Sequence, residues 1–477
     1  MIEAFERTAR RFPQRTCFTF VAADGAEVAY SYREVRMLAA ALAWHLRHRG
    51  VARNSAVAVD LPNCPFYVLL ALATAYGGFF LVALNNRLTA SEKLSRVLEL
   101  QRAAGIAITC QVDSESVDDF MASIAALLAG DDPRTRAGAN DALARRSAPH
   151  NSHVRSSAMG RTIAAAAKAR STRALGRAKP GMDARRRQDA MDRQDAVELV
   201  MHFAERTSRT FNLESRALVM FTSGSTGKPK AVPLTWANLC GSALSANRSL
   251  GCEGQGAWQA ILPMFHVGGF QTIVRSLMGG VPFVLYERFD AERVLHDAAA
   301  RYLTHVSVVD KMLQDMLSIV EREGDESPEA AALRGYRCIL LGGGALNQKT
   351  LARATTAGAR VYASYGMTET ASQIANSLVD GKFDGGMELL PGYAVRVVDP
   401  DSEGYGKLAV RGPGVTSGYL NAQTPRTVDS FLLTGDTAAF GDGRLYLRER
   451  TQDMFVSGGE NVYPSQIRAA LLALPDV

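Results

Sequence analysis

A chain of 477 residues, 47% hydrophobic and 21% charged, has the composition of a soluble globular protein with a sizeable core and more than one domain. Its six cysteines are scattered without paired or metal-ligand spacing, which argues against a disulfide framework and a zinc site and fits a reducing cytoplasm. The net charge of +6 belongs to one stretch: residues 131–196 hold 13 Arg and 2 Lys against 7 Asp, a local +8, and the remainder of the chain carries −2.

In chain order, the opening MIEAFERTARRFPQR mixes charges through its first turns and does not read as a secretory signal. AYSYREVRMLAAALAWHLRHRG has helical spacing, and SAVAVDLPN is an apolar β run stopped by Pro-Asn. Residues 66–84 (FYVLLALATAYGGFFLVAL) form a 19-residue uncharged stretch that approaches membrane-spanning length. Gly77-Gly78 divides it into a helix-like and a β-rich half, so a core helix running into a buried strand is expected instead. FFLVALNNRLTASEKLSRVLEL then repeats the order strand, turn, helix.

Residues 131–196 contain no Phe, Tyr or Trp and are rich in Ala and Arg. Such a stretch buries too little surface to offset chain entropy, and is expected to be a flexible or loosely helical insertion. Nucleic acid is not an expected partner, because no aromatic residues are interleaved to stack on bases. Downstream, RALVMFTSGSTGKPK runs from strand into loop, ANLCGSALSANRSL is helical, QAILPMF and VPFVLYE read as strands, and ERVLHDAAARYLTHVSVV returns through a helix to a strand. Strands alternating with helices imply parallel sheets with right-handed crossovers. From residue 393, short β runs between Gly, Pro and Asp turns suggest a small β-rich subdomain.

Five motifs carry chemistry. In FTSGSTGKPK, only two residues separate Gly224 from Gly227 and Pro229 follows Lys228, which excludes a Walker A loop; the dinucleotide fingerprint is absent as well. What remains is a hydroxyl- and glycine-rich loop of Thr222, Ser223, Gly224, Ser225, Thr226 and Gly227 with Lys228 and Lys230, suited to a polyphosphate; a mobile linker is the alternative. ASYGMTETASQ offers Tyr365, a Gly366 turn, Thr368 and Glu369 for a base, a phosphate and a metal ion. LLGGGAL (Gly342, Gly343, Gly344) permits close approach of a flat ring. LLTGDTAAF places Asp436 to accept from ribose hydroxyls, and RERTQDMFVSGGENVYPSQI holds Arg450 and Asp453.

In this order the five motifs resemble the adenylate-forming superfamily of acyl-CoA synthetases, luciferases and peptide-synthetase adenylation domains, over nearly the whole chain outside the insertion. The resemblance implies ATP and Mg²⁺ as cofactors, coenzyme A as co-substrate and a small carboxylic acid as substrate. It also implies residue roles: the loop through Lys230 on the ATP phosphates, Tyr365 and Gly342 to Gly344 at adenine, Thr368 at the α-phosphate, Glu369 on Mg²⁺, Asp436 and Arg450 on ribose, and Asp453 as a hinge. ILPMFHVGGFQTIVRSLMGG lacks the Asp with which adenylation domains pair an amino group, and its PMFHVGG form with Arg275, like THVSVVDKML and TETASQI, resembles the o-succinylbenzoate-CoA ligases of menaquinone synthesis. That implies an acid site of His266, Gly268, Gly269, Arg275, Ser372 and Gln373, with His266 as gate or wall and Arg275 holding the unreactive carboxylate. Arg275 equally fits an exposed ion pair on an amphipathic helix.

The expected fold is α/β. Two α/β layered subdomains with parallel-rich sheets (1–130 and 197–392, the second with the ATP and acid site) flank the 131–196 insertion. A β-rich subdomain (393–450) and a hinge with the start of a largely missing C-terminal domain (451–477) follow. The resemblance implies a late lysine in that domain for which these residues offer no candidate, so adenylation is expected to be slower by about 10²–10³. The alternatives kept open are a ligase for another aryl or medium-chain acid and a silent adenylate-binding protein. No membrane partner is expected, and a homodimer is compatible with the sequence.

Overall fold

The structure, a computed structural model, describes residues 1–129, 184–222, 229–448, 455–457 and 460–462. Two sheets organise it. The smaller has the order β5-β3-β4-β6-β7, with β3 Ala56–Asp60, β4 Phe80–Ala83, β5 Ile108–Asp113, β6 Arg216–Thr222 and β7 Lys230–Thr235. Its first four members are parallel and β7 returns antiparallel on β6.

The larger sheet has thirteen strands. Its centre is parallel and runs β12-β11-β10-β8-β9-β1, from β1 Thr16–Val21, β8 Trp258–Ala260, β9 Phe283–Tyr286, β10 His305–Val308, β11 Cys338–Leu341 and β12 Val361–Met367. β2 (Glu27–Ser31) closes one edge antiparallel to β1. On the other side follow, all antiparallel, β13 Ser372–Leu378, β14 Met387–Leu389, β18 Arg444–Arg448, β17 Leu432–Gly441, β16 Gly406–Arg411 and β15 Ala394–Val398.

The sheets do not follow the linear boundaries expected from sequence. β1 and β2, from the first segment, extend the larger sheet, while β6 and β7, from the segment after the insertion, extend the smaller one. The β-rich part is hydrogen-bonded into the larger sheet through β18 and β14 rather than standing apart. Its strand β17 contains LLTGDTAAF, the stretch that carries Asp436. Only Gln259 and Ala260 of QAILPMF are in a strand, because Pro263 lacks an N–H and the side chain of Asn63 satisfies the loop instead. Residues 184–196, assigned to the insertion by composition, begin a helix that continues to Arg209; the rest of that segment lies outside the described residues.

The largest core draws on both sheets and on the helices α1 (Ile2–Arg11), α2 (Tyr32–His48), α3 (Pro65–Gly77), α5 (Ser116–Leu128), α6 (Ala184–Arg209), α7 (Trp236–Leu250) and α8 (Val267–Gly279), whereas α4 (Ala90–Ala104) packs through Leu100 in a small separate cluster on the other face of the smaller sheet. The uncharged stretch at 66–84 becomes α3, Pro at its first position and a left-handed Gly78 cap at its end, followed by the fully buried β4. Among the described residues no helix is long and apolar enough to cross a membrane. α7 starts directly at the end of β7 through a Thr235–Asn238 capping box.

Candidate active site

The second motif lies at the end of β12 and in the turn to β13. Tyr365 and Gly366 stand at a register shift against β13, so Gly366 lies in a bulged strand rather than in the expected turn. A Cβ at Gly366 would overlap the carbonyl of Ser372, which is why glycine is required there. Thr368–Thr370 form one 3₁₀ turn, after which Ala371 and Ser372 both adopt positive φ (51° and 100°). Each costs on the order of 1–3 kcal/mol in a non-glycine residue. The turn is over-determined by its surroundings: Ser242 and Gln271 donate to the Ala371 carbonyl at 2.8 Å, and the Thr370 hydroxyl donates to Ser372 O at 2.6 Å.

This turn carries Glu369, 7% exposed, whose Oε1 accepts from the Tyr419 hydroxyl at 2.8 Å. Burial raises the carboxyl above its ordinary range; the Tyr419 hydrogen bond, a backbone hydrogen bond and the charge of Lys230 act the other way, and Asp436 adds to the rise. The Lys230 ammonium sits 4.9 Å from the centre of the Tyr419 ring. Thr222, at the end of β6, pairs in register with Lys230 on β7. Asp436 lies in a second bulge, where β17 shifts register against β16 and Gly435 has φ 82°; its Oδ2 accepts from the Tyr365 hydroxyl at 2.7 Å. The glycine turn after β11 stands alongside: Gly343 has φ 86°, a Cβ on Gly342 would come within 2.8 Å of Ser364 Oγ, and Gly344 continues the turn. Tyr365, Thr368 and Glu369 thus come from the carboxyl end of β12 and the turn after it, Lys230 from the start of β7 opposite the end of β6, and Asp436 from the bulge of β17, so that both sheets contribute.

Among the residues expected at an acid site, Arg275 projects from α8 and is only 1% exposed, which overturns the reading as an exposed ion pair. Its Nη2 donates to Ser372 Oγ at 2.9 Å, and the guanidinium lies 5.8 Å from the Trp258 ring centre. No carboxylate pairs with it among the described residues, its Nε makes no hydrogen bond there, and burial pushes its pKa down to about 10. Gln373 is buried beside Ser372, accepting from Asn376 Nδ2 at 3.0 Å, with its own Nε2 unpaired among those residues. His266 caps the N-terminus of α8, its ring 4.5 Å from that of Phe265. Gly268 and Gly269 serve packing: a Cβ on Gly269 would overlap the Pro263 carbonyl, and one on Gly268 would come within 3.1 Å of Leu262 Cδ1.

The AMP-binding enzyme profile matches residues 5–420. The chain belongs to that family. Among curated relatives, the 2-succinylbenzoate–CoA ligases of Bacillus cereus and Bacillus anthracis are 39% and 38% identical over 280 residues, 56% of this chain and 56% of theirs. The chain therefore spans about half the length of the curated relatives it matches. Among solved structures, o-succinylbenzoate CoA synthetase (MenE) from Bacillus subtilis, bound with a product analogue, has a TM-score of 0.70 at 24% identity, covering 99% of this chain and 83% of that one. ATP-bound MatB from Rhodopseudomonas palustris has a TM-score of 0.64 at 21% identity, covering 99% and 84%. At these identities the likeness to the solved structures is one of fold.

In this AMP-binding enzyme, Ser223, Gly224, Ser225, Thr226, Gly227 and Lys228, together with Arg450 and Asp453, lie outside the described residues. Three residues that sequence reading missed complete the site. Tyr419 bonds Glu369. Asn421 accepts from Ala231 N at 2.7 Å and donates to Pro229 O at 2.9 Å and Glu99 Oε1 at 2.8 Å. Asn63 donates to Leu262 O and Tyr286 O and accepts from Met264 N, anchoring the loop that leads to His266. Only Asn63 had a visible signal, the strand-stopping Pro-Asn. The described residues hold no cluster of three metal-ligating side chains, and the buried Glu369 carboxylate with the Lys230 ammonium nearby fits Mg²⁺, which is commonly bound through one or two carboxylates plus substrate phosphates.

Proposed function

We propose that this chain is an ATP-dependent acid:CoA ligase that forms an acyl-adenylate and then an acyl-CoA thioester, with o-succinylbenzoate as its acid. The observation that carries the acid assignment is Arg275: a buried guanidinium without a carboxylate partner among the described residues, bonded to Ser372 three residues from Glu369. A buried cation is costly unless paired, and a dicarboxylic acid supplies the pair with one carboxylate while presenting the other for reaction. The names of the curated relatives support the same acid.

In the first half-reaction a carboxylate oxygen attacks the α-phosphorus and the bond to the pyrophosphate oxygen breaks. In the second, the coenzyme A sulfur attacks the acyl carbon, its proton is lost and AMP leaves. Glu369 together with the phosphates would hold Mg²⁺, which would supply charge neutralisation there. Lys230 and Lys228 add positive charge on the phosphate side, and Ser223 to Gly227 offer hydroxyl and backbone N–H donors there. Thr368 donates to the α-phosphate, Tyr365 stacks on adenine beside Gly342 to Gly344, Asp436 accepts from the ribose hydroxyls and Arg450 donates to them. Arg275, Ser372 and Gln373 orient the acid so that its reactive carboxylate meets the α-phosphorus, and His266 walls the pocket. Six free cysteines, five of them buried, support a reducing cytoplasm as the compartment.

The test is incubation with ATP, Mg²⁺ and a panel of acids, with acyl-AMP read by mass. o-Succinylbenzoate should give the adenylate. Another acid reacting alone overturns the substrate assignment, and nucleotide binding with no adenylate from any acid points to a silent binder.

A further inference from the structure

Lys230 belongs to the smaller sheet and Glu369 to the turn joining β12 to β13 of the larger, so their separation is not fixed by either sheet's own hydrogen bonds. A single side chain meets both: Tyr419 donates its hydroxyl to Glu369 Oε1 at 2.8 Å and offers its ring face to the Lys230 ammonium at 4.9 Å. The segment bearing Tyr419 is itself laced to both sides. Thr416 Oγ1 donates to Pro233 O at 2.5 Å, Leu420 N donates to Ala231 O at 2.9 Å, and Asn421 clamps Pro229 and Ala231. Towards the other sheet, Thr416 N donates to the carbonyl of Glu369 at 2.8 Å. Tyr419 N is held by Thr424 Oγ1 at 2.8 Å, and Gly418 has φ 144° with room for no Cβ, which would meet Thr424 Oγ1 at 2.5 Å.

We propose that Tyr419 is a positioning residue that sets the carboxylate of Glu369 and the ammonium of Lys230 at a fixed spacing across the two sheets, and thereby favours the metal-bound triphosphate over nucleotides without it. The inference rests on the nucleotide site of the proposed function, though not on which acid is used. The hydroxyl holds one carboxylate oxygen and orients the other; the ring restrains the lysine without neutralising it, which a carboxylate partner would do. AMP, which needs neither group, should be indifferent to Tyr419.

Calorimetric titration of the chain with ATP plus Mg²⁺ and, separately, with AMP tests this. Tyr419→Phe keeps the ring and removes the donor, and should weaken Mg²⁺-ATP by about tenfold, the usual worth of a hydrogen bond to a charged group, with AMP affinity within twofold. Tyr419→Leu removes the ring too and should lose roughly threefold more. In a Glu369→Gln background the Tyr419→Phe effect should vanish, a result that a general loss of packing would not produce. Unchanged Mg²⁺-ATP binding in Tyr419→Phe, or AMP weakened as much as Mg²⁺-ATP, overturns the proposal and leaves the nucleotide site standing. A wild-type chain that binds no Mg²⁺-ATP overturns both.

Discussion

Arg275 shows how a single residue can be kept against stability. Its pKa falls from the usual arginine range to about 10 because burial penalises the charge more than the nearby thiols and Tyr393 relieve it. The difference corresponds to roughly 3 kcal/mol against the charged form at neutral pH. Since the folded protein holds this proton less tightly than the unfolded chain, the cost is present below pH 10 and fades as pH rises from there towards the ordinary arginine range. Arg275→Met, close in volume and uncharged, is expected to leave the unfolding free energy unchanged or raise it by about 1–3 kcal/mol. The same variant should weaken a dicarboxylic acid by at least about 30-fold, the worth of a charge-assisted pair, with little effect on ATP. Urea unfolding and acid titration read the two effects separately, and a large loss of stability would mean that Arg275 is a structural residue. The sequence put Arg275 in the right neighbourhood but could not choose between pocket and surface, since helical spacing does not say what packs against α8.

At the scale of elements, two bulges shape the nucleotide side. Between Tyr365 and Gly366 the register of β12 against β13 slips, and between Leu433 and Thr437 β17 slips against β16. Each slip re-aims a side chain, and together they bring the Tyr365 hydroxyl to Asp436 across 71 residues of sequence. Gly366→Ala is expected to cost about 2–4 kcal/mol, because the new methyl collides with the backbone at Ser372, which cannot yield as a side-chain tip would. Thermal unfolding checks this, and a shift near zero would show that the bulge can relax. Tyr365, Thr368 and Glu369 were legible because they are contiguous and one turn delivers them together. Asp436 was legible only as a motif; that it sits inside a strand was hidden by Thr434 and Gly435, which look like turn residues and are in fact the bulge.

Over the whole molecule, a few polar side chains join the sheets. Asn63, at the end of β3 in the smaller sheet, makes three backbone hydrogen bonds to loops and strand ends of the larger one and is 5% exposed. Asn63→Ala leaves buried backbone groups without partners and should destabilise by about 2–4 kcal/mol. It should also raise the KM for the acid more than that for ATP, because the loop it holds leads to His266 and α8. Chemical denaturation and steady-state kinetics give the two readouts, and equal effects on both KM values would count against a specific link to the acid pocket.

By itself the sequence determined the alternation of helices and strands, the burial of the uncharged 66–84 stretch, the exclusion of a Walker A loop and the run of residues at 363–373 that carries an aromatic ring, a hydroxyl and a carboxylate. These depend on periodicity, spacing and residue chemistry within a few turns of chain. Only the tertiary structure decided that β1 and β2 cross to the larger sheet while β6 and β7 cross to the smaller, that Arg275 is buried without a carboxylate among the described residues, and that Tyr419 links Lys230 to Glu369. Strand pairing and side-chain burial are set by contacts between segments hundreds of residues apart, and no local pattern of apolar and polar positions encodes which partner a strand or a tyrosine will meet.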